Sequence, residues 1–111
     1  MTDAVETPSR ITLEREGAVL LIGLNRPDKR NAADFAMLQQ LAIAYAELEN
    51  DPDLRAGFVF AHGDHFTGGL DLADVGPRLG PDGLDVVPNG GLHPWQVNGQ
   101  LLSKPVVMAV Q

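Results

Sequence analysis

Apolar and polar residues alternate at the start of Ile11-Thr12-Leu13-Glu14-Arg15-Glu16, the rhythm of a half-buried strand. Glu16-Gly17 marks a turn. Ala18 to Leu24 is then almost continuously apolar with β-branched members, which predicts a second strand buried on both faces. Asn25-Arg26-Pro27-Asp28 breaks that run. Asp34 predicts a helix N-cap, and Phe35, Leu38, Leu41, Tyr45 and Leu48 recur at three-or-four spacing with small alanines between them. This stripe predicts an amphipathic helix closely packed on a neighbour, ending at Asn50-Asp51-Pro52-Asp53. Gly57 to Ala61 reads as a short apolar strand, Asp71 to Val75 as a helical start, and Val106 to Val110 as a buried strand. Between these last two, residues 76–99 hold six of the twelve glycines and four of the eight prolines. That density predicts an irregular connection, with room for a short helix near Trp95. Met1 to Arg10 reads as a loose tail, and residues 11–111 as one unit of α/β class.

The chemistry concentrates where the third strand ends. Phe60 to Leu72 leaves an apolar run, passes the adjacent glycines Gly68-Gly69, and reaches Asp71 at a helix start. Such a turn exposes backbone N–H groups able to hold an anion, or a carbonyl oxygen becoming one. The donors are main-chain groups, so the expected role is to stabilise an oxyanion rather than to supply a nucleophile. On these residues alone, a simple strand-to-helix turn is the better explanation of the glycines.

Three segments in order change that balance. Phe66-Thr67-Gly68-Gly69-Leu70-Asp71-Leu72 resembles the glycine-containing loop of the crotonase superfamily, the enoyl-CoA hydratase/isomerase family. Leu24 to Ala32, with Arg26-Pro27 and Asn31-Ala32, is similar to that family's N-terminal Arg-Pro…Asn-Ala segment. Lys104-Pro105 and the following apolar residues resemble the Lys-Pro segment before its second glycine-rich motif. The resemblance runs from about Ile11 to Gln111 and implies the N-terminal part of a crotonase-like fold of stacked ββα turns. It also implies an acyl-CoA thioester as ligand, with coenzyme A carried in by the substrate and no separate cofactor. The backbone N–H of Leu70 is then the expected first oxyanion donor. Lys29, Arg30 and Ala32 are expected beside the adenine and phosphates of CoA. His62, Phe66, Gly68, Gly69 and Asp71 are the expected substrate-binding surroundings, with capping as the main role of Asp71. Gly68 and Leu70 stand where the family often has alanine, which implies a reshaped acyl pocket.

Composition trims the alternatives. The formal net charge of −7 argues against a nucleic-acid footprint and against adhesion to anionic membranes. Arg26, Lys29 and Arg30 form a local basic cluster that runs against this global field. With no cysteine, disulfides, thiolate nucleophiles and Cys-ligated metals are excluded. His62, Asp64 and His65 offer three metal-ligating types on one loop, but successive loop residues diverge and His93 is distant, so no metal is expected. No signal-peptide pattern and no membrane-length apolar run is present, so a cytoplasmic location is expected.

The resemblance further implies a trimer or a dimer of trimers. It also implies that the second oxyanion donor and the hydratase glutamates follow Gln111, so that this chain is the N-terminal portion of a longer protein. Two rival expectations stand beside the enzyme: an inactive fragment, and a CoA-binding pseudoenzyme without acid–base residues.

Overall fold

The computed structural model describes residues 9–81, 84–96 and 99–111. Most of the expected N-terminal tail, Met1 to Pro8, lies outside them. Strand β1 (Ile11–Glu16) turns at Gly17, whose φ of 60° suits glycine, into antiparallel β2 (Val19–Leu24). A 3₁₀ turn over Pro27–Lys29 leads to helix α1 (Phe35–Asn50). β3 (Ala56–Ala61) returns parallel to β2, and after α2 (Leu72–Val75) the chain reaches β4 (Val106–Met108), parallel to β3. The sheet order is β1-β2-β3-β4.

The stripe on α1 meets one face of this sheet. Leu20, Ile22 and Leu24 of β2 and Val59 and Ala61 of β3 pack with Met37, Ala44, Tyr45 and Leu48. Each fully buried aliphatic side chain of this set contributes about 1.5–3 kcal/mol relative to exposure. Gly57 lets the helix come close, since a Cβ there would stand 2.9 Å from Leu48 Cδ2. Asp34 caps α1 as its position predicts, its carboxylate accepting from Met37 N–H at 2.9 Å. Asp34 is itself buried, and the Arg10 guanidinium 2.8 Å away compensates its charge.

Three sequence expectations are corrected. β2 is fully buried on one face only: Leu20, Ile22 and Leu24 are enclosed by α1, whereas on the other face Gly23 is covered but Val19 and Leu21 are half-buried. Among the described residues no helix forms near Trp95, where Pro94-Trp95 makes a turn, because the prolines and glycines around it leave no run long enough to propagate. β4 is shorter than expected and is an edge strand, with Val107 and Met108 exposed.

The register is what positions the site. Leu24 pairs with Ala61, so the parallel strands β2 and β3 end side by side. The 3₁₀ turn leaving β2 and the glycine loop leaving β3 therefore emerge together at the carboxyl ends of adjacent parallel strands. Ligands of open α/β sheets bind at such ends.

Candidate active site

The two emerging loops are joined by one side chain. Asn31, 1% exposed, accepts a hydrogen bond from Arg26 N–H at 2.7 Å. Its amide nitrogen donates to the carbonyls of His62 at 2.8 Å and His65 at 2.7 Å. Its own carbonyl accepts from the Thr67 hydroxyl at 3.1 Å. Asn31 has a φ of 55°, a left-handed conformation that asparagine tolerates better than most residues. Arg30 beside it also has positive φ, 52°, and ends the 3₁₀ turn.

A short parallel bridge continues the join. Ala33 N–H donates to the Gly69 carbonyl at 2.8 Å, and Asp71 N–H donates to the Ala33 carbonyl at 2.8 Å. Gly69 N–H is taken by the Thr67 hydroxyl at 3.1 Å. The amides on either side of Leu70 are thus engaged, while Leu70 N–H has no acceptor among the described residues. The two glycines serve different ends. Gly69 has open space around it but a φ of 97°, which L side chains rarely adopt. Gly68 has ordinary φ but lies against the neighbouring turn, where an added Cβ would meet the Arg30 carbonyl at 3.4 Å.

Leu70 and Gly69 edge an apolar cavity of about 340 Å³ between the loop, α1 and β4. Phe66, Met37, Leu41, Tyr45 and Trp95 supply much of its wall.

The basic cluster divides. Arg26 is largely enclosed and its guanidinium donates to the Asp71 carboxylate at 2.8 Å and the Ala32 carbonyl at 3.0 Å. Burial works against its charge, but Asp71 and Asp34 outweigh that and raise its pKa. The same bond holds the Asp71 carboxyl below the ordinary aspartate range. Asp71 also caps α2, accepting from Asp74 N–H at 3.3 Å. Lys29 and Arg30 are exposed, and among the described residues their side chains form no ion pair or hydrogen bond.

Comparison with known proteins now bears on this arrangement. The enoyl-CoA hydratase/isomerase family pattern matches residues 14–111. The chain belongs to the enoyl-CoA hydratase/isomerase family. It is 32% identical to enoyl-CoA hydratase EchA19 of Mycobacterium tuberculosis, over 96% of this chain and 41% of that protein. It is 42% identical to the mitochondrial Delta(3,5)-Delta(2,4)-dienoyl-CoA isomerase of Rattus norvegicus, over 61% of this chain and 21% of the isomerase. A crystal structure of a probable enoyl-CoA hydratase/isomerase from Mycobacterium abscessus superposes with a TM-score of 0.85 at 49% identity, covering 92% of this chain and 38% of that one. The chain thus spans about two-fifths of the length of EchA19 and of the M. abscessus protein. The crotonase fold read from the three motifs is the fold observed.

Within this family member, Leu70, Gly69 and Phe66 meet at the cavity, and Gly68 and Asp71 brace the loop behind it. His62 is not brought there. Its Nε2 is 2.8 Å from the Thr12 hydroxyl and its ring packs edge-on against Phe60, on the sheet face away from α1. The reason is strand parity: His62 continues the alternation of Phe58 and Phe60, opposite to Val59 and Ala61. Asp64 and His65 do not join it, and among the described residues no group of three His, Cys, Asp or Glu side chains is placed to hold a metal. Ala32 is half-buried, its carbonyl held by Arg26.

Sequence reading missed three functional placements. Asn31 stood only as a motif letter, although asparagine after a turn is itself a signal for side-chain bonding to nearby backbone. Tyr45 counted only as part of the helix stripe, yet it reaches the cavity. Lys104 stood only in Lys-Pro, whereas its ammonium donates to the Leu48 and Asp51 carbonyls at 2.7 and 2.8 Å, closing the C-terminal end of α1. No local pattern announces that last contact.

Proposed function

We propose that the protein acts on acyl-CoA thioesters, with hydration or isomerisation of an enoyl-CoA as the first expected reaction, and that Leu70 N–H is an oxyanion donor. Addition of water to the conjugated double bond, or loss of a proton next to the thioester, moves charge onto the thioester oxygen as an enolate. A main-chain N–H fixed at the wall of an apolar cavity needs no reorganisation to meet that charge. One observation carries the reading: Gly69 and Asp71 are both locked to Ala33 while the N–H between them is left without an acceptor among the described residues. Family membership and the names of the relatives support the substrate class. The exposed Lys29 and Arg30, near the loop through the Arg30–Gly68 contact, suit the phosphates of CoA through charge.

Leu70→Pro tests the donor, because proline removes the N–H without removing any bond seen among the described residues. Turnover of crotonyl-CoA should fall by about 10²–10³-fold, the usual cost of one oxyanion donor. Leu70→Ala keeps the N–H and should keep most of the rate. Near-normal turnover by the proline variant would remove the assignment.

A further inference from the structure

Tyr45 is 4% exposed, and its hydroxyl has no hydrogen-bond partner among the described residues. It lines the cavity that Leu70 edges and also a second space bounded by Trp95, Leu102 and Val106. A buried phenol usually finds a partner, since an unpaired hydroxyl in apolar surroundings is costly. If bulk alone were needed at this point of the α1 stripe, phenylalanine would fill it without that cost. Burial also pushes the Tyr45 phenol above its ordinary pKa, so it stays protonated as a donor. The rest of the cavity wall is overwhelmingly apolar, with Thr67 at its rim already donating to the Asn31 carbonyl.

We propose that Tyr45 is a specificity-determining residue whose hydroxyl bonds an oxygen carried on the acyl chain away from the thioester, so that the preferred substrate is an oxygenated acyl-CoA rather than a plain hydrocarbon one. This rests on the acyl-CoA reading above and adds to it the chemistry of the acyl group. A hydroxyl or carbonyl oxygen reaching Tyr45 would satisfy a group that a methylene leaves unpaired.

The probe is built in, because Trp95, the sole tryptophan, lines the same cavity. Its fluorescence can follow titration with saturated acyl-CoAs from butanoyl to decanoyl and with their ω-hydroxy counterparts, none of which has a double bond to hydrate. At one chain length the ω-hydroxy compound should bind about tenfold tighter than its parent, the worth of one good hydrogen bond. Tyr45→Phe should abolish that preference, leave the parent's affinity unchanged, and not lower Tm. Binding of both series without preference at any length overturns this inference alone. So does a preference that survives Tyr45→Phe, or a lowered Tm showing that the hydroxyl serves the fold. Failure of both series to bind overturns the acyl-CoA reading, and this inference with it.

Discussion

The loop after β3 and the segment before β4 both flank the cavity, yet they are held in opposite ways. Residues 62–71 are tied down by a polar knot centred on the buried Asn31 amide, with the Ala33 bridge and the Arg26–Asp71 pair around it. Residues 84–96 and 99–105 are hooked on at separate points. Leu92 N–H donates to the Ala42 carbonyl at 3.0 Å, Ser103 donates to Glu49, and Lys104 donates to the end of α1. A knot of buried groups is stable only when every member is satisfied, so losing one strands the others. The Ser103–Glu49 hook lies at the surface and trades with water, so it is worth little. The Leu92 and Lys104 hooks are more enclosed, but the three share no member, so each fails independently. Leu70 N–H, the proposed donor, sits on the knotted side, where its position would have to be fixed. Trp95 sits on the hooked side.

The sharpest way to break this contrast is Asn31→Ala. It leaves the His62 and His65 carbonyls and Arg26 N–H without their partner in a partly buried place. At about 1 kcal/mol or more for each stranded group, the loss should be about 3 kcal/mol in urea unfolding. Asn31→Asp keeps the acceptor for Arg26 N–H but sets an anionic oxygen against two carbonyls, so it should not rescue. A loss below about 1 kcal/mol for Asn31→Ala would mean that the loop is not knotted.

Lys104→Met probes the other side. It keeps the aliphatic stem and removes the ammonium that closes α1. We expect a cost of about 1 kcal/mol, with crotonyl-CoA turnover falling less than for Asn31→Ala. A larger loss of turnover from Lys104→Met than from Asn31→Ala would reverse the roles given to the two regions.

These two residues also mark how far the sequence could be read. The strands, α1 and the glycine loop are legible because their signals are local: period two, period 3.6, a cap and adjacent glycines with positions fixed by the neighbouring strand. Even the unequal burial of the two faces of β2 goes beyond such signals, since an apolar run does not say how fully each face is covered. The Asn31 bonds to the His62 and His65 carbonyls span more than thirty residues along the chain and those of Lys104 more than fifty. Contacts of that reach depend on strand register, which pairs Leu24 with Ala61 and brings the two loops together. His62 shows the same limit from the other direction. Its place in the motif favours the cavity, and a one-residue parity along β3 sends it to the opposite face.

The smallest expected effect separates charge from geometry within the knot. Asp71 caps α2 and pairs with Arg26, and asparagine caps as well as aspartate does. Asp71→Asn therefore keeps the cap and removes the charge. Because the Arg26 bond holds the folded-state pKa of Asp71 below that of the unfolded chain, its contribution is present above the unfolded value, roughly pH 4. It is lost as pH falls through the lowered folded value. Glu49 and Asp51 are shifted in the same direction by their own partners, so the wild-type acid limb alone would not isolate Asp71. The difference between wild type and Asp71→Asn does. It should be small and constant from neutral pH down to about 5 and shrink below about 4. Arg26→Met should erase it throughout. If the difference were already absent at neutral pH while Asn31→Ala remained costly, the knot would be held by its amides and main chain, with the ion pair a bystander.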